Sequence, residues 1–324
     1  MSSKTKRIKY IDYINEFSKS DITDILDTFS IKYKSNLKKE DLEDLLMSSL
    51  EQIVLKIIDL TRKEEYSYLK LIIKKKGIIK IRHNKLLLNY CKFMSDKKIF
   101  KEVELNEFIV PMEILNIFKQ KIKLKKSIEK IKSNTVESNI IKGFIDAYGV
   151  VEYDFFYIQY SKKYKDPLEN AINRVKEYSK FYNEYSIIDD KYIASNLIKN
   201  AKDASKYLKS NETYAIYSPS ELIEIHNFTY LSKKRSYKKM INYITKLYAV
   251  NKEGVKLINK YILNPYNEYY QYDKSKSNDI ILSLLDDFFE PYKDKYRDKL
   301  VEYINDFMDT CPSWLLKGNI RKDK

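Results

Sequence analysis

The chain has 324 residues, 44% of them hydrophobic and 33% charged, enough apolar surface for two or three cored domains, which excludes global disorder. Five Gly and six Pro are too few to punctuate an all-β protein, so the fold expected is mainly α with small β-hairpins. The net charge of +15 points to a polyanionic partner, although Lys, Ile, Asn and Tyr are also the residues that AT-rich codons supply.

In chain order, residues 1–50 hold a helix, a polar turn at Lys34-Ser35-Asn36 and a second helix. Ile25, Leu26 and Phe29, then Leu42, Leu45 and Leu46, fall at helical spacing on either side of the turn. Their shared seam is self-contained, so deleting residues 1–50 is expected to leave the remainder folded. In residues 51–132, a helix over 64–77 stops at Gly77, "IIKI" is a short strand and Asn84 caps a helix over 84–94. "KIFKEVELNEFIVP" then makes a hairpin, and a helix opens after Pro111. Helix, strand, helix and hairpin in that order make a degenerate winged-helix-like unit with one piece missing.

Residues 133–198 repeat the order in fuller form. A helix ends at Gly149, Val150-Val151 is a strand, Asp154 caps the next helix, Pro167 opens a third, and a hairpin turns at Asp189-Asp190. Residues 199–324 read as a helical C-terminal domain interrupted by a linker over 264–278. The single Trp, Trp314, lies in the segment "PSWLLKG" and is expected to dock on the body.

The stretch "KYKSNLKKEDL" resembles the SAP and Rho N-terminal type of helix-extended-helix motif. Tyr33, Ser35, Leu37, Lys38, Lys39 and Leu42 match its Tyr-Ser turn and second helix; the Gly usual in the turn is absent, and Glu40, Asp41, Glu43 and Asp44 open that helix. The resemblance implies a small nucleic-acid-binding unit that uses Lys38 and Lys39. Over nearly the whole chain, "IIKGFIDAYGVVEYDFFY", "IIDDKYIAS", "YSPSELIEIHNF" and the W-L-L-K-G segment are similar to a family of uncharacterised bacterial and phage-borne proteins, many of which begin with a Rho-N-like unit. That similarity implies a mobile-element setting and carries no activity with it.

Catalysis is not expected. Cys91 and Cys311 are too few for a disulfide framework or a Cys-rich zinc site, and His83 and His226 have no second His or Cys at ligand spacing, so both are read as surface or packed residues. A Gly-rich phosphate loop is missing, and no Glu or Gln stands two residues before a Lys, as one kind of metal-dependent nuclease requires. The paired carboxylates Asp189-Asp190 and Asp286-Asp287 lie at a turn and on a helix where neighbours diverge. Neither cofactor nor metal is expected. Without a secretion signal or a membrane-length apolar run, the cytoplasm is the expected location, with no membrane partner.

Binding chemistry is better represented. Lys70, Lys74, Lys75, Lys76, Lys80, Arg82, Lys85 and Lys92 lie in one stretch without a carboxylate, the pattern of a phosphate-tracking surface. Residues 1–132 hold 30 Lys+Arg against 19 Asp+Glu, or +11, and residues 133–324 hold 31 against 27, or +4. Lys119, Lys123, Lys126 and Lys130 make a second stripe if 119–132 is one helix. On the third helix of the fuller unit, Asn170, Asn173 and Arg174 are candidates to read bases, opposed by Glu169 and Glu177. The expectation is a non-enzymatic, regulatory nucleic-acid-binding protein that takes DNA rather than RNA, with a C-terminal domain that dimerises or recruits a protein. A winged-helix adaptor that binds protein and no nucleic acid is the alternative.

Overall fold

Reciprocal caps start two of the helices. Ser18 Oγ accepts from the Asp21 N–H at 3.0 Å while Asp21 accepts from the Ser18 N–H at 2.8 Å, and Ser218 and Glu221 repeat the arrangement. The computed structural model describes residues 7–209, 212–232, 234–274, 277–286 and 296–320. The chain divides into two compact units with the boundary between Val136 and Glu137. By sequence, the first carries +11 and the second +4.

The first unit contains α1 (Tyr10–Ile14), α2 (Lys19–Thr28), α3 (Lys39–Ser48), α4 (Leu50–Leu60) and α5 (Lys63–Lys74), then β1 (Ile78–Lys80), α6 (Lys85–Asp96), β2 (Lys101–Glu104), β3 (Glu107–Ile109) and α7 (Met112–Lys121). Its strands pair antiparallel in the order β1-β3-β2. Asn84 caps α6 as its sequence predicts, its Oδ1 accepting from the Leu87 N–H at 2.9 Å. The opening helices are less independent than their pattern suggests. Buried Tyr10 and Tyr13 donate their hydroxyls to the Lys98 and Phe100 carbonyls at 3.2 and 3.1 Å, and the Tyr10 N–H donates to Glu113 of α7 at 2.8 Å.

α8 (Lys125–Tyr148) runs through the boundary. The second unit continues with β4 (Val150–Glu152), α9 (Tyr153–Tyr160), α10 (Leu168–Tyr182), β5 (Ser186–Ile188) and β6 (Tyr192–Ala194), the strands again antiparallel in the order β4-β6-β5. Asp189 and Asp190 take positive φ, 51° and 50°, and the Lys191 N–H closes on the Ile188 carbonyl at 3.0 Å, as the predicted hairpin turn requires. There follow α11 (Ala201–Leu208), α12 (Pro219–His226), α13 (Arg235–Tyr248), α14 (Lys252–Ile258), a π-helical turn (Asn259–Leu263), α15 (Asn264–Tyr272), α16 (Ser277–Asp286) and α17 (Arg297–Met308). Among the described residues no helix is long and apolar enough to cross a membrane.

Trp314 docks as expected. Its side chain is fully buried with Val150, Ile188 and Tyr207, and its Nε1–H donates to the Asp146 carbonyl at 3.2 Å. The ring lies across Gly149, whose φ of +70° and lack of a Cβ both matter: a methyl group there would stand 2.3 Å from the indole.

Some local readings change. α9 begins at Tyr153 with Glu152 at the cap position, so Asp154 lies in its first turn, where a carboxylate suits the helix dipole without capping. Pro167 occupies the cap position of α10 and Leu168 opens the helix. Residues 264–272, the greater part of the expected linker over 264–278, are helical instead, because Tyr266, Tyr270, Asn267 and Gln271 are buried at helical spacing and hold α15 in place; residues 275 and 276 lie outside the described residues. Residues 119–132 are divided between α7 and α8 with a break at 122–124, so the four lysines do not share one helical face. Asp287 lies outside the described residues.

Candidate nucleic-acid interface and a buried polar network

The basic run emerges where α5 ends. Lys74 is in the last turn, and Lys76 turns the chain out of the helix at a φ of 57° just before Gly77. Lysines there complement the carbonyl end of the helix whether or not a ligand binds. Lys74, Lys75, Lys76 and Arg82 are all exposed, and Arg82 follows β1 on the outward register because Ile79 and Ile81 face inward. Among the described residues these four cations have no ion-pair partner. Exposed Arg82, His83 and Lys85 also flank the start of α6, a helix without an acidic residue in its first turn. The helix dipole favours an anion there.

Other predicted site residues are engaged within the fold, Lys80 across the sheet and Lys38, Lys39 and Lys70 by neighbours in the chain. β1–β3 register sets Lys80 opposite Glu107, and Lys80 Nζ lies 3.1 Å from Glu107 and 3.6 Å from Glu104. A run free of carboxylates in sequence thus acquires two across the sheet, and the bond to Glu107 holds the Lys80 ammonium above its ordinary pKa. Lys39 pairs with Glu43 at 3.3 Å, exposed Lys38 gives its backbone N–H to Asp41, and Lys70 Nζ sits 4.7 Å over the Tyr66 ring. Lys80 is therefore withdrawn as a free phosphate contact.

Arg174 departs furthest from expectation. Its side chain is only 14% exposed and pairs with Glu137 at 3.3 Å and Glu177 at 3.4 Å, with the guanidinium 4.6 Å over the Tyr178 ring. Glu137 also accepts from the Tyr160 hydroxyl at 2.5 Å, so Arg174 compensates a buried carboxylate and is unavailable to bases. Asn170 and Asn173 remain exposed on α10. Near the start of that helix, however, a hollow of about 440 Å³ is lined by Glu152, Asp154, Glu169 and Asp190, with Lys191 the one cation among its lining residues.

A polar network in the second unit escaped the sequence reading. Gly143 lets α12 approach α8 so closely that an added Cβ would meet the Leu222 carbonyl oxygen at 2.2 Å. One turn further along each helix, the His226 Nδ1–H donates to Asp146 Oδ2 at 2.7 Å, the two side chains being 11% and 2% exposed. Asn264 donates to the His226 carbonyl at 2.5 Å from the first turn of α15, placed there by the π-helical turn. Pro265, which has no N–H to return to the helix, accompanies that turn. On the same faces Lys142 Nζ is 3.6 Å from Glu268, and Ser195 Oγ donates to Glu268 at 2.7 Å.

The available signal was polar residues at i, i+4 on otherwise apolar stripes: Lys142 and Asp146 on one helix, Asn264 and Glu268 on another. Asp146 fixes the imidazole proton on Nδ1 and leaves Nε2 as the ring's acceptor. Among the described residues no Ser, Thr or Cys bonds His226, so no nucleophile accompanies the pair. Nor, among them, do three or more His, Cys, Asp or Glu side chains gather to hold a metal ion. Compared with protein families, curated proteins and solved structures, the chain matches none.

Proposed function

We propose that the chain is a non-enzymatic DNA-binding protein whose first unit holds the phosphate backbone. The observation that carries this reading is the run Lys74, Lys75, Lys76 and Arg82, exposed and unpaired among the described residues, in the unit that holds most of the net charge. Its two helix, strand and hairpin segments act as winged-helix-like modules, a reading supported by the matching strand orders β1-β3-β2 and β4-β6-β5. The opening helices serve as a SAP/Rho-N-like unit, and the C-terminal helices recruit a partner or a second copy. The family resemblance implies a mobile-element setting, and the role read for the protein there is regulatory.

The test is binding of labelled duplex DNA, single-stranded DNA and RNA across a salt series. Each phosphate contact on a duplex contributes about −0.9 to the slope of log K against log salt, so Lys75→Gln with Lys76→Gln flattens it by up to about 2. The loss is the same for all sequences, since phosphate contacts carry no base information. An unchanged slope in the double variant removes this run from the interface. A protein-binding adaptor is the second reading, favoured by the four carboxylates around the hollow beside α10, which repel phosphate. It stands ahead if wild-type protein binds no nucleic acid at low salt.

A further inference from the structure

Two carboxylates in the second unit are buried against one ammonium. The charged and titratable groups facing one another are Lys142 and Asp146 from α8, His226 from α12 and Glu268 from α15. The Cys311 thiol comes from the segment after α17; burial pushes it up, so it stays neutral, and Lys234 acts on it while bonding the Thr310 carbonyl. Against the Lys142 ammonium, the carboxylates of Asp146 and Glu268 leave one negative charge in excess. Asp146 Oδ1 adds to the imbalance, since among the described residues it has no hydrogen-bond partner. Ionised carboxylates in such surroundings are costly, and a proton is the smallest ligand that removes the cost.

We propose that this network is a proton-operated lock: one proton, held on Glu268, neutralises it and keeps α8, α12 and α15 together, and loss of that proton loosens them. On Glu268 it relieves repulsion from Asp146 while Ser195 still donates to the carboxyl. Burial first, and then the Asp146 charge, hold the Glu268 carboxyl above the ordinary glutamate range, against the opposing pull of Lys142 and Ser195. A folded-state value that is raised means stability complete below the ordinary range and lost as pH rises through the folded value.

The experiment uses the full chain and its single Trp, which bonds Asp146 and so reports on this unit. Thermal midpoints are recorded from about pH 4 to about pH 8 for wild type, Glu268→Gln and Asp146→Asn, and each variant is compared with wild type at the same pH, which cancels titration elsewhere. Either variant removes one of the two carboxylates. Each should gain on wild type as pH rises, by about 2–4 °C across the range. A difference that stays flat, or that turns against Glu268→Gln as pH rises, overturns the lock and leaves the Lys142–Glu268 attraction dominant. If Asp146→Asn does not fold, Glu268→Gln decides the matter alone.

Discussion

Gly143 and Leu222 touch backbone to backbone, and the missing Cβ of Gly143 is what lets the Asp146 carboxylate reach the His226 ring one turn away. Gly143→Ala should therefore push α12 off α8 and break that bond, at a cost of about 3 kcal/mol. Urea unfolding followed by Trp fluorescence measures it; a midpoint equal to wild type would show that the helices can separate without harm.

Trp314 is the sole Trp and is fully buried. Its native emission should be blue-shifted and move to the solvent-like position on unfolding, and Trp314→Ala should destabilise the second unit by about 3–5 kcal/mol. Solvent-like emission from the native protein would refute this.

Deleting residues 1–50 should damage the first unit. The deletion strips Tyr10 and Tyr13 from the Lys98 and Phe100 carbonyls and removes buried aromatic surface. Loss of cooperative melting of this unit, followed by circular dichroism, is the expected result; an intact transition would restore the independence that the helical pattern suggests.

Arg174 and the exposed lysines should behave in opposite ways. Arg174→Ala leaves Glu137 buried without its cation, which costs about 3–5 kcal/mol, while the salt slope for nucleic acid stays unchanged. Lys75→Gln with Lys76→Gln should alter the slope and leave the melting midpoint in place, because both side chains are solvated. A stable Arg174→Ala variant with a flattened slope would return Arg174 to the interface.

The cap of α12 makes a prediction of the opposite pH sense to the buried lock. Bonds from the Ser218 N–H and then its hydroxyl hold the Glu221 carboxyl below the ordinary glutamate range. A depressed folded value gives stability that is present above the ordinary range and lost as pH falls through the folded value. Ser218→Ala should weaken that acid dependence, read as a smaller fall in melting midpoint on acidification.

Helix faces, caps and turns depend on neighbours three or four residues away, so local sequence was enough to show that Asn84 starts α6, that Asp189 and Asp190 turn a hairpin, and that a lone Trp among apolar residues is buried. The unpaired lysines after α5 were also legible, since no carboxylate is close to them in the chain. Ion pairing could not be read in the same way. Lys80 meets Glu107 across 27 residues, Arg174 meets Glu137 across 37 and His226 meets Asp146 across 80. Only strand register and the Gly143 crossing decide which charges come within a few ångströms, and Coulomb attraction and desolvation depend on that distance and burial, whatever the separation along the chain.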